Sequence, residues 1–183
     1  FELTNAVKTI ANFGVKTNPY IIESISDRSG KEIYRHKSDS EIRVLDEKIA
    51  LQAIRGLRGV TEHKYGTAHR AYKEFSCRSA GKTGTATNKK AEPTDNWFIG
   101  FTPSYTIGGW MGFDKKIPLG KEETGATNIL PIFIKIMNEI YKDGSCENFP
   151  ENTDPFKPFS MKNKGPEPIS GPESESEELN ETD

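Results

Sequence analysis

A short stretch near the middle of the chain, residues 80–86 (AGKTGTA), concentrates groups that can bind an anion and support acyl transfer. Lys82 supplies a positive charge, and Thr83 and Thr85 supply hydroxyl groups that can donate to a carboxylate. Gly84 has no side chain, so a substrate can approach the backbone closely there. If the stretch is an edge strand, its unpaired amides can pair with an extended peptide and donate to a developing oxyanion. The residue types therefore indicate a site for a peptide-like substrate with a carboxylate.

The same residues admit two other interpretations. Gly81-Lys82-Thr83 matches the end of the phosphate-binding pattern G-x-x-x-x-G-K-[ST], but Ser76 occupies the position of its first glycine. The residues after the motif also do not open an apolar helix, so we expect no nucleotide and no other cofactor. An exposed strand with one lysine and β-favouring threonines, without any binding role, remains open when this motif is considered alone.

Two neighbouring patterns imitate catalytic motifs. Ser79 and Lys82 formally match S-x-x-K, a motif that works on a helix, where residues three apart share a face. On a strand they point to opposite sides of the sheet, so we do not expect Ser79 to be a nucleophile. Residues 94–96 (TDN) imitate S-D-N but lead straight into a predicted strand, and we interpret Asp95 and Asn96 as turn residues.

The metal-binding residue types are scattered along the chain. His36, His63 and His69 do not have the spacing of a zinc site, so we predict no metal. Cys77 and Cys146 also show no metal spacing. We favour two free, buried thiols at these positions, and a disulfide between them is the alternative.

The elements around Lys82 are predicted to form an α+β fold. Three strands at 79–86, 96–101 and 105–113 are joined by short connections, which favours an antiparallel meander whose first strand carries Lys82. An apolar stripe over 129–141, with Pro131 in the first turn, predicts a helix that lies on this sheet.

The first part of the chain shows two further helices and a hairpin. Leu3, Val7, Ile10 and Ala11 recur at helical spacing before a glycine cap at Gly14.

Asp46 is a predicted N-cap of a helix that Gly56 and Gly59 close. Between these helices, residues 20–27 and 31–35 are predicted as paired strands of a hairpin. Residues 62–71 are polar and are predicted as a loop.

Charge divides the chain into two parts. Residues 147–183 hold ten acidic residues and three lysines, about −7, which leaves about +5 on residues 1–146. The first part is therefore the predicted domain, and the Pro-, Glu- and Ser-rich second part is predicted to be disordered. No apolar run approaches a membrane span, and the chain begins with Phe inside a helical pattern, so we expect a piece of a longer protein.

Residues 1–137 resemble the C-terminal half of the transpeptidase domain of class A penicillin-binding proteins. The matching pieces, in chain order, are LTNA (3–6), ANFG (11–14), ISD (25–27) with Gly30, YGTA (65–68), AGKTGT (80–85), DNWFIGFTP (95–103), GWMGFD (109–114), Thr124-Gly125 and Pro131-Ile132. The run around Trp97 and the segment around Trp110 favour class A proteins over β-lactamases. The resemblance implies the fold shared by penicillin-binding proteins and β-lactamases.

The resemblance also implies roles for residues of the central stretch. Lys82 and Thr83 would bind the carboxylate of a D-alanyl-D-alanine stem peptide or of a β-lactam, and Gly84 would leave room for the peptide. Lys82 and Thr85 would take part in catalysis, with the Thr85 amide as one oxyanion donor. The nucleophilic serine and the S-x-N element would lie upstream of Phe1, so this chain alone is expected to be inactive.

The resemblance implies a place in the cell as well. Class A relatives carry a glycosyltransferase domain and a membrane anchor nearer the N-terminus and act at the outer face of the bacterial cytoplasmic membrane, where peptidoglycan is cross-linked. No nucleic-acid partner is expected. The alternative from a different class is a non-catalytic envelope module that keeps the fold but lacks the serine.

Overall fold

The structure, a computed structural model, describes residues 1–37 and 41–157. Within these ranges the α-helices are α1 (Glu2–Ala11), α2 (Glu47–Glu62), α3 (His69–Glu74) and α4 (Gly125–Ile140), and Glu151–Thr153 form one turn of 3-10 helix. The strands are β1 (Val15–Lys16), β2 (Ser24–Ser26), β3 (Glu32–Arg35), β4 (Ile42–Arg43), β5 (Ala80–Thr87), β6 (Pro93–Phe101) and β7 (Thr106–Gly112). Helices and antiparallel strands are mixed, which confirms the α+β prediction.

The predicted meander is the central sheet. Its strand order is β5-β6-β7, and both pairs are antiparallel, with Thr83 opposite Phe98 and Trp97 opposite Trp110. The strand β6 begins at Pro93, so the prediction that Asp95 and Asn96 are turn residues is wrong.

The turn between β5 and β6 lies a few residues earlier, and the side chain of Asn88 organises it. The carboxamide oxygen of Asn88 accepts from the backbone amides of Lys90 and Glu92, at 2.9 and 3.1 Å. Asn side chains often bind the backbone two residues on in this way, and the turn is thereby completed before β6 begins.

The helix α4 covers one face of the sheet. Phe133 packs edge-on against Phe98 with ring centroids 5.0 Å apart, and Ile129 and Met137 are buried beside them. These contacts confirm that the predicted helix lies on the sheet. Ile132 and Ile136 are exposed, however, so the inward-facing stripe is narrower than predicted.

The start of α4 also differs from the prediction. Thr124 is the N-cap, and its hydroxyl accepts from the amide of Thr127, whose own hydroxyl accepts from the amide of Thr124. Because this reciprocal cap starts the helix at Gly125, Pro131 lies inside it and not in its first turn.

The other face of the sheet is covered by α1 and α2. Ile54 of α2, Ala80 and Phe101 form the centre of a second core cluster, against which Val7 and Ile10 of α1 pack. The predicted N-cap of α2 is confirmed, since the carboxylate of Asp46 accepts from the amide of Lys48 at 2.8 Å.

The predicted end of α2 is wrong. The helix continues through both glycines, Gly56 and Gly59, to Glu62, because burial of Arg58, Thr61 and Glu62 stabilises its last turn. The length matters for the site, because this last turn lies beside β5.

The helices α2 and α4 have 16 residues each, and no helix of the described ranges is long and apolar enough to cross a bilayer.

The hairpin β2–β3 confirms the predicted pairing but is shorter than predicted. Its strands have three and four residues, all exposed. The carboxylate of Asp27 organises the turn by accepting from the amides of Ser29 and Lys31, at 2.8 and 3.0 Å. Hydrogen bonding, first of all from the Ser29 hydroxyl, lowers the pKa of Asp27 below its ordinary value.

The segment after α4 corrects one prediction. Cys77 and Cys146 form a disulfide, with their Cα atoms 5.4 Å apart, so the free-thiol interpretation is wrong. Phe149 and Thr153 are buried, and Phe149 packs edge-on against Phe101 with ring centroids 6.0 Å apart, so this segment packs against the sheet. Residues 158–183, most of the predicted disordered tail, lie outside those described.

Candidate active site

The residues that bear the candidate chemistry lie on β5, at one edge of the central sheet. Among the described residues β5 pairs with β6 only, and its other edge is open in the sense that no described strand pairs with it. Ala80 and Gly81 are buried, Lys82 is exposed, Thr83 and Gly84 are half-buried, and the strand is exposed from Thr85 onward. The strand therefore has an anchored beginning and an accessible second half.

Close packing explains why β5 begins with small residues. A Cβ on Gly81 would lie 2.7 Å from the Phe98 ring and 2.7 Å from the carbonyl oxygen of Ile99, so glycine is required there. Just before the strand, the Thr61 hydroxyl at the end of α2 donates to the carbonyl oxygen of Ser79. Ser79 itself is buried, at 3% exposed.

The backbone geometry places the amides of Thr83 and Thr85 at the open edge. The Thr83 carbonyl accepts from Nζ of Lys82 at 2.8 Å, so it points away from β6. On the far side of β6, the Thr102 amide bonds to the Tyr105 carbonyl at 2.9 Å. Backbone amides and carbonyls point alternately to the two sides of a strand, so those of Phe98, four residues before Thr102, also point toward β7. Its partner Thr83 therefore directs its own amide and carbonyl outward, away from β6. The same alternation gives Thr85 the outward direction of Thr83.

Lys82 is an exposed cation at this edge. Its Nζ lies 3.5 Å from the hydroxyl of Thr83 in addition to the carbonyl contact, and no carboxylate of the described residues lies within ion-pair distance of it. Because no protein carboxylate neutralises it, the ammonium group is available to an anionic ligand.

Gly84 and Thr85 connect the edge strand to the start of α4. The amide of Gly125 donates to the Thr85 hydroxyl at 3.4 Å. A Cβ on Gly84 would lie 3.1 Å from the Cβ of Trp97, its partner on β6. This contact is a packing reason for glycine at position 84, beside the predicted role of leaving room for a substrate.

The pattern at 94–96 has a structural role in the same region. Asn96 is fully buried, and its carboxamide oxygen accepts from Nδ2 of Asn128, in the first turns of α4, at 2.9 Å. Asp95 accepts from the indole nitrogen of Trp110 at 3.1 Å. These side chains hold the start of α4 and the strand β7 against β6. The first residue of α4, Gly125, in turn contacts Thr85.

One residue of the site was missed in the sequence. The hydroxyl of Thr67 lies 3.0 Å from the hydroxyl of Thr83, although 16 residues separate them. Thr67 belongs to the loop between α2 and α3, in the YGTA piece that resembles the family, but no spacing rule connects that piece to β5. Only the resemblance to the family could have indicated Thr67 as a residue of the site.

The three histidines of the chain do not join the site. His36 stacks on Tyr20, His63 lies near Phe156, and His69 stacks on Tyr72. No group of three or more metal-ligating side chains occurs in residues 1–37 and 41–157. Two surface grooves lie beside α1, and neither is lined by residues of β5.

Comparison with known proteins agrees with the geometry of this sheet. The chain is 39% identical over 184 residues to penicillin-binding protein 1A of Rickettsia typhi, covering 88% of this chain and 22% of that protein. It is 34% identical over 154 residues to penicillin-binding protein 1A of Aquifex aeolicus, covering 82% of this chain and 20% of the relative. The chain thus spans about a fifth of the length of these relatives.

Solved structures show the same fold. Penicillin-binding protein 1A of Haemophilus influenzae superposes with a TM-score of 0.71 at 22% identity, covering 81% of this chain and 27% of that one. PonA1 of Mycobacterium tuberculosis gives a TM-score of 0.68 at 21% identity, covering 81% of this chain and 40% of that one. The family model described as the penicillin binding protein transpeptidase domain matches residues 1–137. The chain therefore belongs to the family of penicillin-binding protein transpeptidase domains, of the class A type.

Proposed function

We propose that this chain supplies the substrate-binding edge of a serine D-alanyl-D-alanine transpeptidase that cross-links peptidoglycan. The observation that carries the proposal is the open edge of β5, where the outward Thr83 and Thr85 backbone lies beside the ammonium group of Lys82. An extended peptide can add to such an edge through main-chain hydrogen bonds, while the cation selects a peptide that ends in a carboxylate.

In the proposed mechanism, Lys82 and Thr83 bind the terminal carboxylate of the stem peptide. The amide of Thr85 donates to the oxygen of the scissile carbonyl as it becomes an oxyanion. An oxyanion-hole donor of this kind typically contributes about 10²- to 10³-fold to kcat. Its position on an edge strand held by β6 keeps the donor fixed before the reaction, which is the property that makes such donors effective.

The covalent steps need groups outside this chain. The serine oxygen bonds to the carbonyl carbon, the C–N bond to the last D-alanine breaks, and that amine leaves with the proton of the serine. The acyl group then passes to an amine of a second stem peptide, which restores the serine. Because Ser79 is buried, we assign the nucleophile and the S-x-N element to a part of the protein upstream of Phe1.

The rest of the proposal concerns the protein that carries this chain. It would include a glycosyltransferase domain and a membrane anchor, and it would work on the outer face of the bacterial cytoplasmic membrane. β-Lactams, which present a carboxylate and a strained amide, would occupy the same edge and acylate the same serine.

The test is the rate at which the full-length protein is acylated by fluorescent penicillin. Lys82→Ala removes the cation, and we expect acylation to slow by about 10- to 100-fold, the value of a charge-assisted hydrogen bond. Lys89→Ala is the matched control, because Lys89 is an exposed lysine in the turn that follows β5, and its rate should equal that of the wild type.

Two outcomes would contradict the proposal. Equal rates for Lys82→Ala and the wild type would remove Lys82 from the carboxylate site. A full-length protein that takes up no label at all, and whose encoding sequence has no S-x-x-K upstream of Phe1, would instead support the non-catalytic envelope module.

A further inference from the structure

The hydroxyl of Thr67, which comes from the loop between α2 and α3, lies within hydrogen-bond distance of the hydroxyl of Thr83. The two Oγ1 atoms are 3.0 Å apart, and Nζ of Lys82 approaches the same Thr83 oxygen at 3.5 Å. A hydroxyl group has one proton and two acceptor positions. If Thr67 donates to Thr83, the single proton of Thr83 is left free to point toward a carboxylate.

The loop that carries Thr67 is held in place on both sides of this residue. A Cβ on Gly66 would lie 2.1 Å from the carbonyl oxygen of Val60, so the backbone there passes too close to α2 for any side chain. Ala68 is fully buried, and its amide donates to the same Val60 carbonyl at 3.1 Å. Thr67 therefore extends toward β5 from a loop with little freedom to move.

The end of α2 positions both Thr67 and Thr83. The carbonyl of Val60 accepts from the loop, while the hydroxyl of the next residue, Thr61, donates to the carbonyl of Ser79 just before β5. Two consecutive residues of one rigid helix thus fix the Thr67 loop and the start of the strand that carries Thr83. This arrangement ties the segments that carry the two hydroxyls to the same end of one helix.

We propose that Thr67 is a positioning residue that orients the hydroxyl of Thr83 toward the substrate carboxylate. The inference rests on the proposed function, because it assigns Thr67 to the same carboxylate site. Thr67 acts through Thr83 and does not itself touch the reacting atoms. Its loss should therefore matter only when both Thr83 and a ligand carboxylate are present.

The test measures acylation of the full-length protein by benzylpenicillin and by its methyl ester, each in competition with fluorescent penicillin. Thr67→Val keeps the shape of the side chain but removes the hydroxyl. We expect it to slow acylation by benzylpenicillin about 3- to 10-fold, as for the loss of one hydrogen bond, and to leave the rate with the ester unchanged. Thr67→Ser should restore the wild-type rate.

A double-mutant cycle separates positioning from general damage. Thr67→Val combined with Thr83→Val should be no slower than Thr83→Val alone, because coupled residues are not additive. Thr87→Val, an exposed threonine farther along the same strand, should match the wild type.

Three results would overturn the inference: equal slowing of the acid and the ester, additive losses in the double variant, or no rescue by serine. These results leave the proposed function standing if Lys82→Ala is still slow. A wild-type protein that takes up no label ends the proposed function and this inference together.

Discussion

The central sheet and the hairpin β2–β3 are both antiparallel, but their surroundings differ completely. Phe133 on the sheet-covering helix is 1% exposed, whereas Ile33 in the hairpin is 64% exposed. The sheet is packed between helices on both faces, and the hairpin strands have no buried residue. Regular backbone pairing alone therefore does not decide how rigid a β-structure is; packing against a second layer does.

This difference explains why the candidate site lies on β5. A two-stranded hairpin is marginally stable in water without a hydrophobic face to bury. An oxyanion donor and a carboxylate site need fixed distances. Of these two regions the sheet provides them, through the helices packed on its two faces and the short contacts at Gly81. The hairpin can change shape without moving Lys82 or Thr85.

The largest effect is expected from a cavity under the sheet. Phe133→Ala removes the ring that packs against Phe98 and Phe75, and we expect a loss of about 3–5 kcal/mol in the stability of the sheet. Ile33→Ala in the exposed hairpin is the control and should change stability by less than about 0.5 kcal/mol. Hydrogen exchange of the β6 and β2 amides in the full-length protein measures both effects in one molecule. Similar losses for the two variants would contradict the contrast between the regions.

A somewhat smaller effect is expected from the disulfide. Cys77 lies shortly before β5 and Cys146 follows α4, so their bond ties the site strand to the segment after the helix. The linked residues are 69 positions apart, and removing such a bond typically costs about 2–4 kcal/mol.

The measurement compares the oxidised wild type with the Cys77→Ala/Cys146→Ala variant. Exchange of the β5 amides should become faster in the variant, whereas exchange in the hairpin should stay unchanged. If the hairpin changed as much as β5, the bond would stabilise the chain as a whole and not the sheet in particular.

Local signals in the sequence were sufficient for much of this architecture. The strand at 79–86, the meander and the Asp46 cap each depend on residues close together in the chain, and the structure confirms them. The capping pair of Thr124 and Thr127 is also local, and attention to it would have corrected the start of α4.

The features that were missed depend on contacts between distant segments. The bond between Cys77 and Cys146, and the burial of Phe149 against Phe101, follow only once the chain is folded. The contact of Thr67 with Thr83 is of the same kind. The helix α2 passed through two glycines because burial of its last turn outweighed their low helix propensity, about 1 kcal/mol each.

The smallest effects are expected from pH, and they again distinguish the two regions. The hydroxyls of Ser104 and Tyr141 donate to the carboxylate of Glu147 beside the sheet, and these bonds lower the pKa of Glu147. In the hairpin, hydrogen bonds from Ser29 and Lys31 lower the pKa of Asp27. A carboxylate whose pKa is lowered by folding stabilises the folded state above its ordinary pKa, near 4, and this contribution is lost as the pH falls through the lowered value.

Acidification below pH 4 should therefore loosen two places by different amounts. Protonation of Asp27 leaves a turn with no other packing, so exchange of the Ser29 and Lys31 amides should accelerate; in Asp27→Asn this acid-dependent change should be absent. Protonation of Glu147 should be tolerated by the sheet, because the disulfide and the buried ring of Phe149 still hold that segment. Hydrogen exchange, corrected for the intrinsic dependence of exchange on pH, measures both. Loss of β6 protection at the same pH as the hairpin turn would show that the two regions unfold together, contrary to the difference in packing between them.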